Sequence, residues 1–83
     1  MLIYEKQYEL NNPKNYQERT INSYDNFDEY LNYLTNDKSK ELYPSLPRQA
    51  ELITISKWVD EVEIEFINGA NQRKYIHIGR IVK

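Results

Sequence analysis

The chain has 83 residues, a formal charge of −2 at pH 7 and no cysteine. A chain of this length can close around only one hydrophobic core, so we expect a single domain over residues 1–83. The lack of cysteine excludes disulfides and thiolate metal sites, and the near-neutral charge argues against a strongly basic nucleic-acid-binding surface. Aromatic residues make up 13% of the chain, which indicates a folded protein rather than a disordered one.

No apolar run in the sequence approaches the roughly 20 residues that a membrane helix needs. Residues 1–6 also lack the pattern of a secretory signal. We therefore expect a cytoplasmic protein that does not contact membranes. Asn, Lys, Ile and Tyr are frequent, whereas Gly and Pro number only 2 and 3. This composition is typical of A/T-rich genomes and suggests a low-GC bacterium, or a phage or other mobile element of such a host.

Two strands are predicted at the start of the chain. The apolar residues of the first segment share one parity and are Leu2, Tyr4, Tyr8 and Leu10. This alternation predicts a strand whose tyrosines face the core. A turn is expected over residues 11–15, where Pro13 would end strand pairing, and a second strand over residues 16–22.

A helix is predicted next, because apolar residues recur at positions i, i+3, i+4 and i+7. These residues are Phe27, Tyr30, Leu31 and Leu34. Asp25 or Asn26 is the expected N-cap, and Glu29 stands at the capping-box position relative to Asn26. Asp28 and Glu29 also place negative charge in the first turn, where the helix dipole favours it.

The segment after the helix is predicted to lead into a strand. Residues 38–43 are expected to add a short helical turn, and Pro44 and Pro47 mark an extended link. Residues 51–58 are rich in β-branched side chains, which favour a strand. An amphipathic helix is the alternative for this segment, with its apolar stripe at Leu52, Ile55, Val59 and Val62.

The last third of the chain predicts a β-hairpin. Apolar residues and glutamates alternate in its first strand, in the order Glu61, Val62, Glu63, Ile64, Glu65 and Phe66. Such a pattern is typical of a strand with one buried face. A turn around Gly69 leads to a second strand over residues 74–81.

The register of this hairpin follows if its aliphatic residues pair on the buried face. The predicted cross-strand pairs are Val62 with Ile78, Glu63 with His77, Ile64 with Ile76 and Glu65 with Tyr75. This register requires a loop with an odd number of residues, such as residues 69–71. The expected fold class is α+β: a small antiparallel sheet of four or five strands with one helix packed on its apolar face.

Neither catalysis nor metal binding is expected from the polar residues. His77, the only histidine, could act as a general base oriented by Glu63, but we favour a structural position beside that glutamate on a solvated sheet face. Glu61, Glu63 and Glu65 could gather a metal ion, but carboxylates on one strand face are about 6.5–7 Å apart, too far to share an ion without loop ligands. We therefore predict no catalytic residue, no cofactor and no metal site.

The function expected from the remaining surface is the binding of another protein. Tyrosine and tryptophan are enriched where proteins meet. The predicted partner-binding residues are Tyr33, Tyr43, Trp58, Glu61, Glu63 and Glu65. The aromatic residues would anchor the partner, and the glutamates would attract a basic surface. We expect a small non-catalytic regulator or inhibitor that acts by surface contact.

The alternative function is a module that binds single-stranded or double-stranded nucleic acid. No acidic residue follows Gly69, and the basic C-terminal strand offers Arg73, Lys74, Tyr75 and Arg80. An aromatic ring among cations can hold a nucleotide by stacking and phosphate contact. In the predicted register, however, Arg73 and Tyr75 share a face with the glutamates, which would repel phosphate. A protein partner is therefore favoured over nucleic acid.

Overall fold

The computed structural model describes residues 1–35, 45–47 and 49–83. Its elements in chain order are β1 Ile3–Glu9, β2 Asn12–Ile21, α1 Phe27–Thr35, β3 Ala50–Lys57, β4 Glu61–Asn68 and β5 Arg73–Ile81. The strands form one five-stranded sheet in the order β2-β1-β5-β4-β3, in which every pairing is antiparallel. The helix covers one face, so the predicted α+β class is confirmed.

The segment over residues 51–58 is a strand for nearly all of its length, as β3, and the helical alternative is wrong. Its β-branched residues keep their side-chain freedom in the sheet, where β3 pairs with β4. The helical turn predicted over residues 38–43 and Pro44 lie outside the described residues.

The core lies between α1 and the face of the sheet that it covers, which we call the inner face. The buried residues of this cluster are Ile3, Tyr24, Phe27, Tyr30, Leu34, Leu46, Val62, Ile64 and Phe66. The predicted stripe of α1 is confirmed for Phe27, Tyr30 and Leu34, whereas Leu31 is only partly buried. The apolar face predicted for β4 is also confirmed, because Val62, Ile64 and Phe66 are all fully buried.

The predicted N-cap of α1 is confirmed at Asn26. The Asn26 Oδ1 accepts a hydrogen bond from the backbone N–H of Glu29 at 2.8 Å. The Glu29 carboxylate in turn accepts from the backbone N–H of Asp25 at 3.2 Å, one residue before the usual capping-box position. Side chains thus satisfy one N–H group of the first helical turn, that of Glu29, and the N–H of Asp25 just before the helix.

Strand β1 presents the opposite face to the core from the one that the sequence predicts. Ile3, Glu5 and Glu9 are buried, whereas Tyr4 and Tyr8 lie half-buried on the uncovered outer face. The prediction that these two tyrosines fill the core is therefore wrong. Hydrophobicity favoured the tyrosines, but Glu5 and Glu9 are buried with hydrogen-bond or ion-pair partners that a pattern within one strand cannot reveal.

The turn predicted over residues 11–15 is wrong, because the chain reverses at residues 10 and 11 and β2 begins at Asn12. Pro13 lies within β2, which is an edge strand, where a missing backbone N–H is tolerated. The pairing slips at this end of the hairpin: Tyr8 lies opposite Tyr16, but Glu9 lies opposite Asn12. Residues 13–15, which the sequence predicted as part of a turn, are the extra residues of this irregularity in β2.

The register of the β4–β5 hairpin differs by one residue from the prediction. The observed pairs are Val62 with Gly79, Glu63 with Ile78, Ile64 with His77, Glu65 with Ile76 and Phe66 with Tyr75. A shift of one residue moves every side chain of β5 to the other face. His77 and Tyr75 therefore face inward, while Ile76 and Ile78 share the outer face with the glutamates.

The loop of this hairpin has four residues, 69–72, rather than an odd number. Gln72 takes the left-handed backbone conformation at φ 60°, and neither glycine has a positive φ. Side-chain contacts hold the loop, since Asn68 Oδ1 accepts from the Ala70 N–H at 2.9 Å and Asn71 Oδ1 accepts from the Arg73 N–H at 3.0 Å. These Asx-type bonds replace the glycine-based turn that the sequence predicted.

Candidate functional site

A buried polar cluster links α1 to the sheet beneath it. The Tyr30 hydroxyl donates to Glu5 Oε2 at 2.6 Å and lies 2.9 Å from His77 Nε2. His77 Nε2 is also 3.1 Å from the same Glu5 oxygen. Glu5 is 3% exposed, His77 1% and Tyr30 0%, so the three groups meet in the interior. We call Glu5, Tyr30 and His77 the Glu5 cluster.

Polar side chains at the rim complete the Glu5 cluster. Arg19 Nε donates to Glu5 Oε1 at 2.8 Å, and Arg19 Nη2 donates to Ser45 Oγ at 3.1 Å. His77 Nδ1 lies 3.2 Å from Gln7 Oε1. Among the described residues, no buried side-chain nitrogen or oxygen lacks a hydrogen-bond partner. The cluster is therefore a fully satisfied network, which is the condition for burying charge at acceptable cost.

The network fixes the protonation of its two acids. Burial alone would raise the pKa of Glu5, but hydrogen bonds from His77 and Tyr30 and the charge of His77 outweigh it and lower this pKa to about 2. Burial, followed by the charge of Glu5, raises the pKa of Tyr30 above its usual value. Glu5 is thus an ionised acceptor and Tyr30 a protonated donor at neutral pH.

A polar cleft of about 480 Å³ lies beside the Glu5 cluster and is lined by His77, Glu5, Glu18 and Arg19 among others. A histidine with nearby acids is the combination that acid–base chemistry would use. Here, however, His77 Nε2 is held by Tyr30 and Glu5, and Nδ1 faces Gln7. The arrangement suits a structural role that orients α1, rather than proton exchange with a substrate.

Both sequence-based interpretations of His77 are therefore corrected. The imidazole lies in the interior and not on a solvated face, and its carboxylate partner is Glu5 of β1 rather than Glu63. Glu63 lies opposite Ile78 on the outer face. The error follows from the register, because one residue of slip exchanges the two faces of β5.

An apolar groove opens between α1 and β3. Its first depression, of about 610 Å³, is lined by the apolar residues Phe27, Trp58 and Val59. Its second, of about 500 Å³, is lined by Leu31 and Ile55. Asp28 and Lys57 line both depressions, and their side chains form an ion pair of 3.5 Å across the groove. We call this surface, defined by the seven residues named in this paragraph, the Trp58 groove.

The exposed apolar area of the Trp58 groove follows from two local features of the chain. Ile53 is an extra residue in β3, because Leu52 lies opposite Phe66 while Thr54 already lies opposite Glu65. This bulge reverses the alternation, so that Ile55 pairs with Ile64 and faces the helix side, at the margin of α1. Beyond it, a tight turn in which the Trp58 N–H donates to the Glu61 carbonyl at 2.8 Å leaves Trp58 52% exposed.

Carboxylates dominate the charge around the Trp58 groove. Asp28 lines both depressions, and its side chain is 89% exposed. Asp25 and Glu29 lie at the same end of α1. Asp60 follows the fully exposed Val59 in the turn after β3 and forms an ion pair of 3.1 Å with Lys83. Lys57 is the cation within the groove itself. The groove therefore combines an apolar floor with a mainly acidic border.

The predicted partner-binding residues do not form one surface. Trp58 lies in the groove, whereas Glu61, Glu63 and Glu65 lie half-buried on the outer face of β4. Tyr33 is partly buried and packs on Tyr24, with ring centroids 5.1 Å apart. Tyr43 lies outside the described residues.

The basic residues of the alternative function are divided between the two faces of β5. Tyr75 faces inward and stacks on Phe66 with a centroid distance of 5.5 Å, and Arg73 lies 3.6 Å from the Glu9 carboxylate. Lys74 and Arg80 point to the outer face, where Arg80 covers the ring of Tyr4 at 4.8 Å. Arg73 and Tyr75 thus lie on the face opposite to the predicted one, and the four residues do not form one surface.

Sequence reasoning missed Glu5, Tyr30 and His77 as a unit and missed most of the groove. A signal for the groove was present in the pair Trp58 and Val59, two large apolar residues directly before an acidic turn. No comparable signal marked Ile55, because the bulge that turns it toward the helix side depends on pairing with β4.

Two further properties concern ligands and membranes. Within residues 1–35, 45–47 and 49–83, no three histidine or carboxylate side chains converge where they could hold a metal ion. The one described helix is too short and too polar to span a bilayer.

Comparisons with protein-family models, with curated proteins and with solved structures found no match to this chain.

Proposed function

We propose that this protein is a non-catalytic binding protein that acts as a regulator or inhibitor by covering part of the surface of another protein. The observation that carries the proposal is the Trp58 groove. Trp58 is 52% exposed and Val59 is 94% exposed, although both are large and apolar. Exposed apolar surface bordered by polar residues is typical of protein-binding sites.

The chemistry of the groove supports a protein partner. Tryptophan is enriched among the residues that dominate binding energy, because its ring buries a large area with few rotatable bonds. Phe27 and Ile55 extend the apolar floor on either side of the Lys57–Asp28 ion pair. A partner that fills these depressions removes apolar surface from water, which is the main source of affinity in protein association.

The charges of the border support a basic partner. Asp28 lines the groove, and Asp25 and Glu29 lie at the same end of α1. Opposite charge across an interface speeds association and selects among partners. We also propose that the partner is a cytoplasmic protein of a low-GC bacterium and that this chain comes from a phage or another mobile element. Both points rest on the composition, which is typical of A/T-rich genomes.

Nucleic-acid binding is the second candidate, and it has less support. Lys74 and Arg80 share the outer face with Lys6 and with the rings of Tyr4 and Tyr8. That face could stack bases and contact phosphates. The glutamates of β4 occupy the same face one strand away, and they would repel a phosphate backbone.

The test is affinity capture from a low-GC bacterial lysate with three immobilised proteins: wild type, Trp58→Ser and Tyr16→Ser. Tyr16 is a matched control, because it is 49% exposed, close to the value for Trp58, and lies on the distant edge strand β2. We expect a basic protein that wild type and Tyr16→Ser retain equally and that Trp58→Ser retains at least tenfold less. The captured protein is then purified, and its affinity for all three proteins is measured.

Two results would contradict the proposal. The first is capture that does not depend on Trp58. The second is capture that disappears after nuclease treatment, together with direct binding of oligonucleotides whose affinity falls steeply with salt, which would favour the nucleic-acid candidate.

A further inference from the structure

We infer that the Trp58 groove binds a basic amphipathic helix of the partner, which inserts two apolar side chains one helical turn apart and places a Lys or Arg on Asp28. This inference rests on the proposed function and specifies the kind of segment that the same groove accepts. Three features carry it: the spacing of the two depressions, the ion pair between them and the bulge in β3.

The spacing of the depressions is set by α1. Phe27 lines the first depression and Leu31 lines the second. These residues are four positions apart on one helix, which corresponds to about 6 Å along its axis. A partner helix that lies along the groove presents side chains at the same interval when they occupy positions i and i+4.

The ion pair between the depressions gives the groove its charge preference. Lys57 Nζ lies 3.5 Å from Asp28 Oδ1, and the two side chains are 55% and 89% exposed. An exposed pair of this kind contributes little to stability, so exchange of one cation for another is easy. On the partner helix, a Lys or Arg at position i+1 or i+3 lies beside the apolar residues at i and i+4. This cation can replace Lys57 as the ion-pair partner of Asp28. The negative charges of Asp25 and Glu29 add a longer-range attraction.

The bulge in β3 favours a helix over an added strand as the occupant. An extended segment with apolar side chains at i and i+2 has a similar spacing, about 6.6–6.8 Å. Such a segment would have to hydrogen-bond along the free edge of β3, however, and the extra residue Ile53 interrupts the regular alternation of that edge. Bulges are a common means of preventing strand addition.

The test selects binding peptides from a random library, so that no peptide sequence is chosen in advance. A display library of random 16-residue peptides is enriched on the wild-type protein and depleted on Trp58→Ser. We expect the surviving sequences to share apolar residues at i and i+4 with a Lys or Arg at i+1 or i+3. Enrichment of alternating i, i+2 patterns, of acidic peptides, or of no common pattern would overturn the inference.

The affinity of an enriched peptide is then measured by intrinsic fluorescence. Trp58 is the only tryptophan of the chain, so a peptide without tryptophan reports directly on the groove. We expect Asp28→Asn to weaken binding at least fivefold in low salt, and less in high salt. Glu63→Gln is the matched control on the outer face and should change the affinity less than twofold. Equal weakening by both variants would exclude a specific role for Asp28.

The two proposals fail in different ways. If capture of the cellular partner depends on Trp58 but no helical basic peptide is enriched, the helix inference is wrong and the binding function stands. If capture does not depend on Trp58, the proposed function itself is wrong.

Discussion

Gly79 of β5 lies directly beneath the phenol ring of Tyr30. A Cβ atom built at Gly79 would collide with the Tyr30 hydroxyl and would lie 2.7 Å from its Cε2 atom. The absence of a side chain at this position lets the ring descend to the sheet, where its hydroxyl reaches Glu5 and His77. The docking of α1 therefore depends on a glycine in a different element.

Gly79→Ala should destabilise the protein by about 1–3 kcal/mol, the usual cost of forcing an extra carbon into a packed core. The Tyr30 ring must move away from the sheet, which lengthens its bonds to Glu5 and His77. Chemical denaturation with urea measures the loss. Thr20→Ala, on the exposed edge strand β2, is the control and should change stability by about 0.5 kcal/mol or less. If Gly79→Ala leaves the free energy of unfolding unchanged, the Tyr30 ring cannot lie this close to β5.

Tyr30→Phe should cost about 1–3 kcal/mol, although the apolar volume of the ring is kept. The loss arises because the buried Glu5 carboxylate and His77 lose the hydroxyl that satisfies them. Tyr16→Phe removes an exposed hydroxyl of the same kind and should be nearly neutral. The two variants are compared by urea denaturation at pH 7. Equal effects would mean that the buried hydroxyl of Tyr30 contributes no more to stability than an exposed one.

At acidic pH the protein should lose the contribution that the ionised Glu5 carboxylate makes to the free energy of unfolding. Its pKa is about 2 in the folded protein against an ordinary value of 4.5, so the unfolded chain takes up the proton first as the pH falls. The ionised carboxylate therefore stabilises the fold by about 3 kcal/mol above pH 4.5, and this contribution is lost between about pH 4.5 and 2. The effect of Glu5 on stability is isolated by comparison with a variant that lacks its charge.

The comparison uses Glu5→Gln, with Glu63→Gln on the outer face as the control. The free energy of unfolding is measured from pH 2.5 to 6.5. The difference in free energy of unfolding between wild type and Glu5→Gln should be largest near neutrality and should narrow as the pH falls. At neutral pH it should exceed the difference between wild type and Glu63→Gln, whose side chain lies on the outer face. A difference that does not vary with pH would contradict the low pKa of Glu5.

The sequence predicts the elements whose signals are local. The stripe and cap of α1 depend on residues within about two turns, and both are found where Phe27, Tyr30 and Asn26 indicate. The alternation of β4 is likewise local, and its apolar residues are buried as expected. The fold class follows from these elements and their order.

Register and polar burial could not be predicted from one sequence. Either parity of β5 offers two side chains that a core can accept, and hydrophobicity alone favours Ile76 and Ile78 over Tyr75 and His77. The observed choice is made by Glu5 and Tyr30, which lie far away along the chain and satisfy the imidazole. Without those partners, burial of His77 would cost more than burial of an isoleucine.

The Trp58 groove also contains one residue that the sequence indicates and others that it does not. Trp58 could be proposed as an interface residue from its type and its place at the end of a strand. The role of Ile55 could not, because the bulge at Ile53 changes the face to which the residue points, and a bulge depends on the pairing between β3 and β4. The glutamates of β4 lie on the outer face, as their alternation with apolar residues predicts, whereas Trp58 lies in the groove after the end of β3.

Phe66→Ala should cost about 3–5 kcal/mol, a large share of the stability of a domain this small. Phe66 is 0% exposed and stacks on Tyr75. Thermal and urea denaturation measure the loss. The matched comparison is Ile78→Ala on the half-buried outer face, for which we expect a clearly smaller cost. The two costs would be similar if the register predicted from sequence were correct, because Ile78 would then face the core together with Phe66.

Reversal of charge on the outer face tests whether the partner binds the glutamates of β4 or the Trp58 groove. Glu63 and Glu65 lie opposite Ile78 and Ile76, and no ion pair within the described residues involves them. The double variant Glu63→Lys, Glu65→Lys should therefore change stability by about 0.5 kcal/mol or less per site. Because these residues lie on the face opposite to Trp58, capture of the partner should be unchanged within twofold. If the double variant keeps its stability but loses the partner, the glutamates predicted from sequence form the contact and the groove does not.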